Sequence, residues 1–158
     1  GGFRQETQIG EVNSRGFEIE AQANINDAWK VTAAFTAYDL EVKDDADESI
    51  IGKRPYLLPE TQASVFAQYT VPTGKLAGLA LGAGVRYVGS SSADKANTLK
   101  VPDVTLLDLK IGYKKDNWGV DLNVTNVFDK EFVSGCQGVN VCAYGEGRKA
   151  LLKAHMTW

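Results

Sequence analysis

Residues 118–132 read WGVDLNVTNVFDKEF, and their spacing decides the fold. Val120, Leu122 and Val124 alternate with Asp121, Asn123 and Thr125. Successive side chains of a strand point to opposite faces, so this run has one apolar face and one polar face. As a helix it would set Asp121, Val124 and Phe128 on one stripe, which buries nothing useful. The stretch therefore reads as a strand, and function turns on which solvent each of its faces meets.

The same alternation recurs along the chain. Phe17, Ile19, Ala21, Ala23 and Ile25 oppose Glu18, Glu20, Gln22 and Asn24; Trp29, Val31, Ala33, Phe35 and Ala37 oppose Lys30, Thr32, Ala34, Thr36 and Tyr38. Ala63, Val65, Ala67, Tyr69 and Val71 form a third apolar face, with Phe66 a misfit on its polar side. Leu79–Tyr87 and Leu107–Tyr113 follow the same rule, and the last strand sets Ala150, Leu152, Ala154, Met156 and Trp158 against Leu151, Lys153, His155 and Thr157. About seven strands and no convincing helix indicate an all-β sandwich or barrel. The connections alternate short (26–28, 72–74, 114–117) and long (39–59, 89–102, 134–147). That is the rhythm of an antiparallel up-and-down meander, with tight turns at one end and long loops at the other.

At 158 residues the chain reads as one domain, 1–158. Its net charge of −3 leaves no basic footprint for nucleic acid. No run approaches the roughly 18 apolar residues of a membrane helix, which leaves a transmembrane barrel open. The opening GGFRQETQ lacks the charged and apolar regions of a signal peptide and reads like the start of an excised piece.

Two patterns then choose the solvent. Trp29, Tyr69, Tyr113, Trp118 and Trp158 all fall at the short-turn end, on or at the edge of the apolar face. Amphipathic rings gather in this way at a membrane–water interface, whereas core aromatics of a soluble barrel have no reason to share one level. Meanwhile Glu18, Glu20, Lys30, Arg86, Asp108, Lys110, Asp121, Lys153 and His155 would all point into one interior. A small soluble barrel cannot bury that many charges without heavy desolvation cost. A wide lumen can host them as cross-strand ion pairs. The apolar face is thus expected to meet lipid, in one arc of a larger wall.

The stretches GEVNSRGFEIEA (10–21), GKRPYLLP (52–59), GAGVRYVG (82–89) and VTNVFDKEF (124–132), with the terminal aromatic Trp158, resemble the TonB-dependent siderophore receptors, in particular the ferrichrome-type ferric-hydroxamate branch. The resemblance implies the C-terminal arc of a transmembrane β-barrel of about 22 strands in a Gram-negative outer membrane. The plug domain and TonB box of that family are not matched here. It further implies TonB-dependent uptake of a ferric siderophore, with iron arriving already chelated and no cofactor. The implied partners are the siderophore, the TonB complex acting through the plug, outer-membrane lipid and the barrel-assembly machinery. The rival readings are a soluble all-β ligand-binding module and a passive outer-membrane pore.

Candidate sites lie in the loops. Cys136 and Cys142 suit a disulfide in an oxidising exterior, with free thiols and metal as alternatives; two cysteines and one distant His make a poor zinc set. The resemblance places such a bridge in the last extracellular loop, where Tyr144 could face ligand or pack on the bridge. Tyr38, near the long-loop end of its strand, is the second ligand candidate. The acidic run from Asp39 to Glu48 lacks EF-hand spacing and reads as a solvated face rather than a metal site. Arg86 and Glu18 read as members of lumen ion pairs, and Gly82 and Gly84 as relief of crowding or a bend. No nucleophile–base set or paired carboxylates emerge, so no enzyme and no catalytic residue is expected.

Overall fold

The computed structural model describes residues 10–138 and 140–158. Seven strands make one continuous antiparallel sheet: β1 (Val12–Asn24), β2 (Trp29–Val42), β3 (Thr61–Thr70), β4 (Leu79–Val88), β7 (Val104–Lys115), β8 (Trp118–Thr125) and β11 (Lys149–Met156), paired in that order. The long connections carry smaller pieces. A 3-10 turn spans Glu48–Ile50, β5 (Ser91–Ser92) pairs with β6 (Lys100–Val101), and β9 (Val133–Cys136) pairs with β10 (Cys142–Tyr144).

The short–long rhythm of the connections is the rhythm seen in the sequence. At the tight end, Asn26 Oδ1 accepts from the N–H groups of Ala28 (2.9 Å) and Trp29 (2.8 Å), an Asx turn that starts β2. Asp116, at φ +52°, takes the left-handed conformation that a two-residue hairpin turn requires. At the other end the strands run further than alternation alone indicates: β2 continues to Val42, so its loop begins four residues later than Asp39. Conversely, β8 stops at Thr125, and 126–132 is a turn rather than a continuation of the strand.

The pairing is regular enough to be followed in rows. Trp29, Tyr69, Leu81, Ile111, Leu122 and Leu152 face one another in sequence across β2, β3, β4, β7, β8 and β11. Among the described residues no second layer covers this face: Ile111 in the row is 51 % exposed, and Val65, on the same face of β3, is 53 % exposed. A soluble sandwich or carrier would seal these side chains in a core. Instead the buried residues, among them Val42, Ala93, Val101, Val104, Leu106 and Cys136, collect at the long-loop end.

The opposite face carries the ion pairs. Arg86 binds Asp108 across β4 and β7, Lys110 lies 3.5 Å from Asp121, and His155 Nδ1 is 3.9 Å from the other Asp121 oxygen. Phe66 sits on this polar face because space is made for it: its ring lies over Gly82 and Gly84, and a Cβ at either glycine would collide with it. The glycines thus relieve crowding, as the sequence suggests. Glu18 makes no ion pair among the described residues: the residue opposite it on β2 is Thr36, which carries no charge, and the other side of β1 is an open edge of the sheet.

Candidate ligand-facing mouth

Three long connections, 43–60, 89–103 and 126–148, converge at the end of the sheet away from the tight turns. Their backbones are tied to one another. Leu57 N–H donates to Ser92 O (3.2 Å), Glu60 N–H to Ser90 O (3.3 Å), and Gly138 N–H to Ala93 O (2.7 Å). Asn97 fixes the first two loops together: its Oδ1 accepts from Arg54 N–H at 2.8 Å, and its Nδ2 donates to Arg54 O at 2.9 Å. Ala93, Val101 and Cys136 form a small apolar cluster beneath, with Val133 packed on it.

Cys136 and Cys142 are bonded, and they are direct cross-strand partners in the β9–β10 hairpin, with Cα atoms 4.0 Å apart. The hairpin is anchored by its buried Cys136 and by Gly138 beyond it, whose N–H reaches Ala93 O. Tyr144 ends β10 and is 78 % exposed, so it does not pack on the disulfide as a buried aromatic would. Tyr38 is half-buried on the polar face of β2, where Gln62 Nε2 reaches its hydroxyl at 3.4 Å. The two tyrosines stand on separate elements at the same end of the sheet.

The acidic loop spends its carboxylates locally. Arg54 binds Asp39 (2.7 Å) and Glu60 (2.8 Å), and Glu41 pairs with Lys43 (2.7 Å). Asp47 caps the 3-10 turn, and the Ser49 hydroxyl and N–H together hold its carboxyl below the ordinary value. Asp94 organises the second loop in the same manner; the Leu99 N–H first and the Thr98 hydroxyl next lower its pKa. Among the described residues no cluster of His, Cys, Asp and Glu is disposed to hold a metal.

Sequence reasoning missed two features here. One is a recess of about 200 Å³ lined by Val12, Val42, Ile50, Pro55 and Tyr56, with Arg54, Asp45 and Lys95 at its edge. Tyr56 lies in the quoted GKRPYLLP stretch, yet nothing in local spacing shows that it lines a concavity formed with β1 and β2. The other is Asn126, 2 % exposed and held at φ +50°. Its N–H donates to Asp108 Oδ1 (3.0 Å), its Nδ2 donates to the carbonyls of Lys130 (2.9 Å) and Glu146 (3.1 Å), and its Oδ1 accepts from Lys130 N–H (2.9 Å). This satisfies every polar atom of a buried amide and clamps the start of the third loop to its end.

At the tight end, four of the five expected girdle aromatics pair: Trp29 with Tyr69 at 5.1 Å and Tyr113 with Trp118 at 5.7 Å between ring centroids. Trp158 stands apart. β11 ends at Met156, and the Trp158 side chain lies wholly exposed beyond it.

The family model described as TonB dependent receptor-like, beta-barrel matches residues 1–127. The ferrioxamine B receptor of Salmonella typhimurium (strain LT2) is 37 % identical over 145 residues, which are 89 % of this chain and 20 % of that protein. The ferrichrome outer membrane transporter/phage receptor of Escherichia coli (strain K12) is 37 % identical over 150 residues, 92 % of this chain and 20 % of that protein. Among solved structures, the siderophore receptor PiuA from Acinetobacter baumannii superposes with a TM-score of 0.78 at 26 % identity, covering 93 % of this chain and 22 % of that one. The chain spans about a fifth of the length of the curated relatives it matches.

Proposed function

The chain belongs to the TonB dependent receptor-like β-barrel family, and from that premise we propose that it forms part of the wall and mouth of a receptor that imports a ferric siderophore across the Gram-negative outer membrane. The observation that carries this reading is the two-faced sheet. An uncovered apolar row runs along one side, and Arg86–Asp108 and Lys110–Asp121 line the other. Every strand-to-strand register in it is continuous, so backbone groups between paired strands are satisfied at membrane depth, and the outer edges of β1 and β11 are left to pair with neighbouring strands of the barrel.

The substrate is a ferric hydroxamate, in keeping with the ferrioxamine B and ferrichrome receptors to which the chain is similar. The tied loops present Tyr144 and the recess at Tyr56 to it, the end of β2 presents Tyr38, and Lys95 supplies positive charge at the recess. Iron enters as cargo inside its chelate, so the wall contributes aromatic and polar contacts rather than metal ligands, and it performs no catalysis. Energy coupling belongs to the TonB complex acting through a plug, and insertion belongs to the barrel-assembly machinery.

Deleting the full-length gene and supplying ferrioxamine B, ferrichrome or a ferric catecholate as the only iron source tests this. Growth should fail on a hydroxamate and return on complementation. Undiminished growth on all three chelates would overturn the proposal.

A further inference from the structure

On the apolar face, two neighbouring rows differ in relief. Trp29, Tyr69, Leu81 and Ile111 are all large, whereas in the next row Ala67 and Ala83 stand opposite each other between Val31 and Leu109. The two alanines form the floor of a hollow of about 610 Å³, walled by Trp29, Tyr69, Leu81, Leu109 and Ile111. That volume is within the range of about 300–1,000 Å³ typical of ligand-sized clefts.

In a bilayer the neighbours of this face are lipid tails, so filling the hollow gains nothing from the hydrophobic effect. It gains from dispersion contacts, which the lining forfeits if the hollow is left unfilled. The hollow crosses the strands from β2 to β7 rather than following one of them. Barrel strands tilt by roughly 35–45°, so a chain lying along the membrane normal also crosses strands.

Charge at the adjoining surface indicates what is attached to that chain. The 71–78 turn carries Lys75, and β7 ends in Lys114 and Lys115. The two segments touch, with Lys114 N–H donating to Gly78 O at 3.0 Å. All three lysines are exposed, and among the described residues none is in an ion pair, although Asp116 lies in the same turn. Lys115 shares the outward parity of Tyr113 and Ile111.

We infer that this hollow is a phospholipid site. One acyl chain seats over Ala67 and Ala83, and the headgroup phosphate is held by Lys75 and Lys115 at the tight-turn surface. The inference rests on the membrane-wall reading above and adds a specific, retained lipid to it.

The test uses the full-length receptor in phosphatidylcholine vesicles. A minor fraction of phosphatidylglycerol carries a photoreactive diazirine on its acyl chain, and cross-links are mapped by mass spectrometry. Labelling at Tyr69, Ala83 and Leu109 should exceed that at Val65 and Leu152, which are more exposed than Leu109, by at least about fivefold, the enrichment expected from just one of the two lysine–headgroup attractions. Ala83→Leu, or Ala67→Ile where that variant assembles poorly, should abolish the excess by filling the floor. The Lys75→Glu, Lys115→Glu double variant should lower it while the folded barrel keeps its heat-modifiable mobility. Even labelling over the whole apolar face would overturn the site and leave the membrane wall standing. Labelling confined to the Lys110 face would overturn the wall itself.

Discussion

Asp108 on β7 accepts from Nε and Nη2 of Arg86 on β4, and the same carboxylate also takes the backbone N–H of Asn126 at 3.0 Å. One side chain thus joins the wall to the loop that follows the next strand. The Asp108 side chain is only 15 % exposed, while Arg86 is 43 % exposed, so the carboxylate is the costlier group to lose. Replacing Asp108 by Ala should destabilise the folded barrel by about 2 kcal/mol, after discounting the exposed arginine. Asp108→Asn should cost less, because it still accepts one bond. Urea unfolding from lipid vesicles measures both.

The assignment of faces gives a sharper contrast. Leu122 belongs to the uncovered apolar row, and Asn123 beside it points to the charged side. Leu122→Arg should cost roughly 2–4 kcal/mol if it meets lipid at mid-depth, while Asn123→Arg should fall within about 1 kcal/mol of the wild type. Equal effects in the same unfolding assay would reverse the assignment.

The strands and their faces were legible because a period of two is written locally. Val120, Leu122 and Val124 need no knowledge of their partners to declare a common side. The mouth was not legible, because its ties join distant residues. Asn97 meets Arg54 across 43 positions, and neither residue carries a local sign of the other. The VTNVFDKEF stretch could be matched as a motif, but its physical reason, an Asn126 amide clamping Lys130 to Glu146, appears only in three dimensions. Ends of strands failed for a similar reason. Alternation persists through Trp158, but pairing in β11 stops at Met156, where β8 begins at Trp118.

Phe66 and Gly84 form a testable lock. A Cβ at Gly84 would meet the Phe66 ring and the Val65 carbonyl, so Gly84→Val overpacks the inner face and should cost about 1–3 kcal/mol. Phe66→Ala alone should be nearly harmless if the lumen is wet, and should recover most of the loss in the double variant. A double-mutant cycle by thermal unfolding reads the coupling; additive effects would mean the ring moves freely.

Acid should loosen the second loop. Hydrogen bonds from Leu99 and Thr98 lower the folded-state pKa of Asp94 below its unfolded value, so their contribution is complete above that unfolded value. It is lost as pH falls through the lower, folded pKa. Hydrogen exchange at Leu99 N–H should therefore accelerate on acidification below about pH 4, after correction for intrinsic rates. Asp94→Asn should remove the transition.

The Cys136–Cys142 bridge sits at the point where the third loop meets the second, since Cys136 packs on Ala93 and Val101 while Gly138 bonds to Ala93 O. Cutting it frees a hairpin whose two short strands, four and three residues long, cannot hold register alone. The chain-entropy model values closure of so small a loop at roughly 2 kcal/mol, and that loss falls on the hairpin rather than on the seven-stranded sheet. Reduction, or Cys136→Ser with Cys142→Ser, should therefore leave the barrel's unfolding midpoint unchanged. Exchange protection should drop across 133–144 and, through Gly138, at Ala93. If the hairpin is what presents Tyr144 to the chelate, siderophore affinity should fall together with that protection. Binding that persists after the protection is gone would place recognition in the recess at Tyr56 instead.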